Sequence, residues 1–176
     1  MKLSFALAIL TAFLLAAPAQ AANKPAKTPP KPPTTVAGLW EQSDDDGVVG
    51  AWFVFEEKDG FFNGRLVKAF PKPEDPVFDT CARCTGDQKD AKMMGLTIIN
   101  GMKRTGLTYK DGSILDPRDG NVYHAEMAMS PDGQSLAVRG YLFMPMLGKT
   151  QTWKRLPDDA VKPEDIPPEV LAPPVN

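Results

Sequence analysis

The sequence contains one histidine and two cysteines among 176 residues. A serine or cysteine nucleophile would therefore have to share His124, and neither a Gly-x-Ser-x-Gly nor a His-Glu-x-x-His motif occurs. The acidic run at 44–46 is followed by Gly47 and lacks the glutamate that closes a Ca²⁺-binding loop. The sequence therefore predicts a protein that is not an enzyme, with no catalytic residue, no bound metal and no cofactor.

Clusters of basic residues are also scarce. The 20 Lys and Arg are outnumbered by 22 Asp and Glu, which gives a formal net charge of -2. A protein that binds nucleic acid usually displays a cationic patch that displaces counterions from phosphates. Outside a short lysine-containing segment near the N-terminus no such patch is evident, so nucleic acid is excluded as the expected partner.

One apolar run is long, and it lies at the N-terminus. Lys2 precedes an apolar stretch from Leu3 to Ala17, and Ala19-Gln20-Ala21 places small residues where a signal peptidase cleaves. The stretch is short for a transmembrane helix, and no cysteine follows it to accept a lipid. We expect a signal peptide over 1–21 that is cleaved after Ala21, a periplasmic or secreted product, and no stable membrane insertion after cleavage.

Proline marks the two ends of the mature chain. Of 18 prolines, five lie in the lysine-containing segment 22–35 and six in the acidic segment 157–176. Such compositions cannot bury a core, so we expect a Pro/Lys-rich linker and a Pro-rich tail that are both disordered. The remaining segment, 36–156, has the length of one domain.

Within 36–156 the apolar residues alternate over short stretches and show no helical period, which predicts an all-β fold. Asp-Gly pairs occur at 59–60, 111–112, 119–120 and 132–133, and each predicts a hairpin turn. Joined in sequence order, about eight strands would leave exposed edges unless the sheet closed. An up-and-down β-barrel is therefore favoured over a sandwich. The predicted strands are 36–42, 49–57, 61–70, 95–104, 106–110, 113–115, 121–130, 135–143 and 149–156.

Both cysteines lie in the long irregular segment 71–94, which we call the cysteine loop, in the motif Cys81-Ala82-Arg83-Cys84. In an oxidising compartment two nearby thiols usually form a disulfide, and we favour that interpretation. A redox role would require the first cysteine at a helix N-terminus, whereas the surrounding Pro, Asp and Gly predict a loop. Thr85 follows the motif where attachment of c-type haem requires histidine, which excludes haem.

The sequence contains ligand types that suit two metals, zinc and copper(I). Zinc would need His124 and a further ligand beside the cysteines, which is a weak pattern. Copper(I) would suit the thioethers of two methionine pairs, Met127 with Met129 and Met144 with Met146, which could share one side of an extended strand. Methionine is also an ordinary filler of irregular core space, so no metal site is predicted, and handling of copper or zinc is kept only as a third hypothesis of function.

The chain is similar to a known family in several ordered motifs. They are Gly38-Leu39-Trp40, Gly95-Leu96, Leu115 to Gly120 with Tyr123, Leu136 to Tyr141, and Leu147 to Arg155. Together they resemble the bacterial family named domain of unknown function 2147, over essentially the whole of 36–156. The resemblance implies an exported lipocalin-like β domain. It implies no activity and no catalytic residues.

Gly38-x-Trp40 on a first strand and Arg155 on a last one also resemble the lipocalin pattern in which the guanidinium covers the indole. We expect this pair to close the barrel, and an arginine over an aromatic face contributes roughly 0.5–2 kcal/mol.

The expected function is binding of a small apolar or amphipathic ligand, or of an envelope component. The alternative is an interaction module for a protein or the cell wall that uses the cysteine loop and the Pro-rich tails. Possible wall residues of the barrel are Phe53, Phe55, Phe61, Phe62, Tyr141, Phe143 and Trp153.

Overall fold

The computed structural model describes residues 35–73 and 79–161, and these form eight antiparallel strands. Two 3₁₀ turns, Gly86–Gln88 and Pro145–Leu147, lie in the connections. The predicted signal peptide lies outside the described residues, as do nearly all of both predicted tails. The strands are β1 (Gly38–Ser43), β2 (Val49–Lys58), β3 (Phe61–Ala69), β4 (Thr97–Thr105), β5 (Thr108–Asp116), β6 (Asn121–Met129), β7 (Ser135–Tyr141) and β8 (Lys149–Arg155).

The sheet closes into a barrel in which every strand pairs with its neighbours in sequence. Closure is made by β1 and β8, which pair through Trp40 with Arg155 and Glu41 with Lys154. Closure leaves no edge strand whose backbone groups would lack partners. The prediction of an all-β, lipocalin-like up-and-down barrel is confirmed, and the alternative of a sandwich is wrong.

Three of the four predicted Asp-Gly hairpin turns are present. Asp59 and Gly60, for example, have φ of 54° and 81°, as a two-residue hairpin turn requires. The turn predicted at 110–112 is wrong, because β5 runs through it as one strand. Asp111 has φ of 61°, and the pairing of β5 with β6 shifts between Tyr109 and Gly112. An Asp-Gly pair therefore forms a bulge here, and Gly106 makes the turn from β4 to β5.

Two ends of the barrel can be distinguished. The lower end holds the start of β1, the end of β8 and the short β2–β3, β4–β5 and β6–β7 turns. The upper end holds the other four connections, including the cysteine loop between β3 and β4. β7 ends at Tyr141, earlier than predicted, because the chain turns at 142–148.

The main core lies inside the barrel, and a smaller apolar cluster lies outside it. Leu39, Val67 and Val161 form the outer cluster, so the chain after β8 packs along the outer wall. Of the aromatic residues considered for the wall, Phe53, Phe55, Phe62 and Trp153 are buried, whereas Phe61 and Phe143 are exposed. Among the described residues no helix has the length and apolarity to cross a bilayer.

Candidate ligand-binding mouth

Arg155 closes the lower end of the barrel. Its guanidinium carbon lies 4.3 Å from the centre of the Trp40 ring. Arg155 Nε donates to the Gly133 carbonyl at 2.6 Å, and Nη1 and Nη2 donate to the Ala37 and Thr35 carbonyls at 2.7 Å each. Burial lowers the pKa of Arg155, and the nearby Asp158 opposes this shift. The structure thus brings together the two residues expected to close the barrel.

Large side chains fill the lower interior. Phe55, Met102, Tyr109 and Leu136 are at most 1% exposed, and Tyr109 Oη accepts a 2.8 Å hydrogen bond from the Val36 backbone NH. Burial raises the pKa of Tyr109. Because interiors packed in this way hold few voids larger than a water molecule, no ligand can occupy the lower half without displacing these residues.

The upper interior is lined differently. The inward-facing residues there include six that are only half-buried: Gln42, Ala51, Ile114, Tyr123, Gly140 and Gln151. Since they face the barrel axis, we infer that their remaining exposure is towards the upper end of the barrel. None of the six is charged. We call this lining the mouth.

Two stacked aromatic rings form the floor of the mouth. The Phe53 and Trp153 rings lie 4.6 Å apart with an interplanar angle of 16°. Above them, Gln151 Oε1 is 3.5 Å from both Gln42 Nε2 and Trp153 Nε1. Hydrogen bonds of this length are weak, so these groups can still form hydrogen bonds to a ligand. The mouth therefore offers an apolar floor and an amide wall.

The cysteine loop packs beside the mouth, on the β5–β6 turn. Cys81 and Cys84 form a disulfide and are 0% and 2% exposed. Arg83 Nη1 donates to the Arg118 carbonyl at 3.0 Å, which fixes the loop to this turn. The predicted disulfide is confirmed. Its burial in a loop, with only a single 3₁₀ turn following Cys84, favours a structural role.

The structure separates the residues considered for metals. His124 is exposed on the outer face of β6, where it stacks on Tyr141 at 5.5 Å. Met127 and Met129 are buried in the core, while Met144 and Met146 are 51% and 76% exposed in the β7–β8 loop. The two methionine pairs therefore lie in different surroundings, one in the core and the other at the surface. Among described residues no group of three or more His, Cys, Asp or Glu could hold a metal ion.

The β7–β8 loop forms an apolar rim at the upper end. Phe143 is 87% exposed and Leu147 74% exposed. Lys149 Nζ lies 3.0 Å from Asp45 Oδ2 and so connects this loop with the β1–β2 loop. Apolar residues in such number and continuity usually mark a contact surface. We call residues 142–147 the rim loop.

Sequence reasoning did not single out Gln42, Gln151 or Gly140. A usable signal existed for the glutamines, because each lies two residues from a core tryptophan, Trp40 or Trp153, and a strand period of two places them on the same face. The rim loop was partly assigned to β7 because of its apolar composition.

Comparisons with known proteins agree with this architecture. A family model described as an uncharacterized protein conserved in bacteria, domain of unknown function 2147, matches residues 38–155. A solved Helicobacter pylori structure, described as a protein that belongs to the lipocalin family, superposes with a TM-score of 0.64 at 20% identity. The match covers 79% of this chain and 97% of that one. A comparison with curated proteins gave no match.

Proposed function

Because this chain belongs to the bacterial family named domain of unknown function 2147 and folds as a lipocalin-like barrel, we propose that it binds a small, uncharged amphipathic ligand in the mouth. Closed barrels of about eight strands are wide enough to hold one small ligand. The observation that supports this most directly is the change in lining, from packed aromatic residues below to half-buried amides and glycine above.

The ligand's chemistry follows from the residues of the mouth. The stacked Phe53 and Trp153 rings offer apolar area to a ring or alkyl chain. The amides of Gln42 and Gln151 can donate to and accept from a polar group.

None of the six mouth residues is charged. Lys149 and Asp116 lie on the same strand faces nearer the upper end, where they are paired with Asp45 and Arg118. A charged head group would therefore be desolvated without a free opposite charge, which is unfavourable. Binding without chemistry is the role proposed, and the only histidine lies on the outer face.

N-phenyl-1-naphthylamine, an uncharged aromatic fluorophore, tests this proposal. We expect saturable binding to the protein and none to a Gly140→Leu variant, because a side chain there enters the mouth. Even a Cβ at Gly140 would lie 3.2 Å from Ile114 Cγ2. The matched control is Ala128→Leu, on the exposed outer face of β6.

Binding that survives Gly140→Leu, in a variant that melts cooperatively, would overturn the proposal. The rim loop is a second surface on which the probe could bind. A Phe143→Ser variant separates the two surfaces, because a site in the mouth keeps its affinity in that variant. Native mass spectrometry of the gently purified protein then shows whether a small molecule is retained.

Export to the cell envelope is the setting we propose for this binding, on the strength of the N-terminal segment 1–21. The expected periplasmic or secreted product begins at Ala22. Intact mass measurement of the protein recovered from the periplasm or culture medium tests this. Recovery only from the cytoplasm, at the full-length mass, would contradict it.

A further inference from the structure

A second concave surface lies on the outer wall of the barrel, away from the mouth. It is a groove of about 630 Å³ over β2, β3 and β4. The groove reaches from the β2–β3 turn to Gln88 in the 3₁₀ turn of the cysteine loop. Its volume lies within the usual range of small-ligand sites, roughly 300–1,000 Å³.

A bulge in β4 shapes this groove. Phe62 pairs with Met102 and Gly64 with Ile99, so two residues of β4, Asn100 and Gly101, face the single residue Asn63. Gly101 has φ of 68°, and its backbone NH donates to Asn63 Oδ1 at 2.8 Å. Bulges re-aim side chains in this way and occur often beside binding sites.

The bulge places two side-chain amides in the groove. Asn63 accepts the hydrogen bond from Gly101 through its side-chain oxygen, so its NH₂ group points away from Gly101. Asn100 is exposed, and its side chain forms no hydrogen bond within 35–73 or 79–161. On the far wall, Gln88 Nε2 donates to the Thr97 carbonyl at 3.0 Å. Each amide supplies both donors and acceptors.

Charges in the groove balance. Arg65 is 5% exposed overall, and its Nη2 lies 2.7 Å from Glu56 Oε2, whose side chain is 52% exposed. Lys58 and Asp59 add one charge of each sign. The charges of the described residues that line the groove therefore sum to zero and do not select an ionic ligand, while the Glu56 carboxylate still offers acceptor capacity to solvent.

One aromatic ring completes the lining. Phe61 is 39% exposed and lies on the groove beside Lys58, its partner in the β2–β3 register. Paired donors and acceptors match the hydroxyl groups of a sugar, each of which donates and accepts. The C–H face of a sugar ring is apolar and can pack on an exposed aromatic face. An alkyl ligand would leave the amides and charges of the groove desolvated.

We propose that this outer groove binds an uncharged saccharide, a short oligosaccharide with one ring on Phe61 and hydroxyl groups on Asn63, Asn100 and Glu56. The site is independent of the mouth, because the wall of the barrel separates them. A protein with both sites would hold a glycan outside while a ligand occupies the interior.

The test uses the protein from Ala22 onward, labelled with ¹⁵N, and titrated with N-acetylglucosamine trimer and separately with maltotriose. We expect saturable amide shifts confined to the groove with at least one of the two trisaccharides. Asn100→Ala and Phe61→Ala should each weaken the affinity roughly tenfold, the loss of about one good contact. Thr152→Ala, exposed on the outer face of β8, should leave the affinity unchanged.

No saturable shift with either trisaccharide, or shifts that Asn100→Ala does not weaken, would overturn the proposal. Asn100 is exposed and Phe61 partly so, so both variants should fold, and their spectra report this directly. The Gly140→Leu variant should bind the saccharide normally. Failure of the mouth proposal and failure of this one are therefore distinguishable.

Discussion

The guanidinium of Arg155 lies over the indole of Trp40, 4.3 Å from the ring centre, while its nitrogens donate to three backbone carbonyls. Those carbonyls belong to Thr35, Ala37 and Gly133, so one side chain connects the segment before β1, the β6–β7 turn and the end of β8. Lysine cannot reproduce this arrangement, because its single ammonium lacks the planar fork of arginine.

Replacement of Arg155 should therefore be among the more destabilising changes at the surface of the barrel. We expect Arg155→Met to lower the free energy of unfolding by about 2–3 kcal/mol, since it leaves three part-buried carbonyls without this donor. Urea denaturation measures the effect. The neighbouring Lys154→Met, at an exposed position of the same strand, should change stability by less than about 0.5 kcal/mol. Equal effects of the two variants would contradict the role assigned to Arg155.

Gly120 fixes the position of the cysteine loop. A Cβ added at Gly120 would lie 1.9 Å from the Arg83 carbonyl oxygen, whereas one added at Gly60 would meet nothing within 4 Å. The φ values of the two glycines are similar, 79° at Gly120 and 81° at Gly60. Gly60→Ala should therefore show the backbone penalty alone, about 1 kcal/mol, and Gly120→Ala should lose about 1–3 kcal/mol more. Thermal melting of both variants checks the difference, and similar melting temperatures would show that the loop moves aside freely.

Asp116 gives the protein part of its acid sensitivity. Hydrogen bonds from the Arg118 side chain lower the pKa of Asp116, and burial opposes this. Since the folded-state pKa is lowered, the stabilisation is present above the unfolded value of about 3.9 and is lost as the pH falls through the folded value. The Arg118 side chain is 80% exposed, so solvent screening keeps the effect below about 1 kcal/mol.

Asp116→Asn should consequently destabilise the protein at neutral pH and have a smaller effect at about pH 3, which lies below the unfolded value of about 3.9, so that part of the stabilisation is already lost. Urea denaturation at both pH values provides the comparison. Asp159→Asn, at an exposed position that forms no ion pair within residues 35–73 and 79–161, is the control. A destabilisation of equal size at both pH values would show that the charge of Asp116 is unimportant.

The rim loop should contribute little to stability. Phe143 is 87% exposed, so Phe143→Ser removes almost no buried area and should change the free energy of unfolding by less than about 0.5 kcal/mol. The same variant should bind less of the anionic dye anilinonaphthalene sulfonate, because the exposed apolar patch shrinks. Phe53→Ser, in contrast, should destabilise by about 3 kcal/mol or more, since Phe53 is 7% exposed and stacks on Trp153.

The strands were predictable because a half-buried strand alternates with period two, and because Asp-Gly pairs favour positive φ. The same local signal misled at Asp111, where the pairing of β5 with β6 accommodates positive φ inside a strand. Local sequence cannot distinguish a bulge from a hairpin turn, since only the long-range register decides which one forms.

The two candidate sites differ in how much of each could be predicted from the sequence. Gln42 and Gln151 lie two residues from Trp40 and Trp153, so the two-residue period of a strand predicts that these glutamines face the barrel interior. The outer groove depends on the β4 bulge opposite Asn63 and on the cysteine loop that brings Gln88 to the wall. Both are tertiary arrangements between residues distant in sequence, and no pattern within one strand encodes them.

Both ends of the barrel domain lie at its lower end. Arg155 donates to the carbonyls of Thr35 and Ala37, and the backbone NH of Leu156 donates to the Leu39 carbonyl at 2.9 Å. A tether joined to the chain at Thr35 would therefore meet the barrel at the pole opposite its mouth, whereas one joined at Val161 would meet it on the outer wall. A protein immobilised through Thr35 would present Gln42 and Gln151 to the surrounding solution.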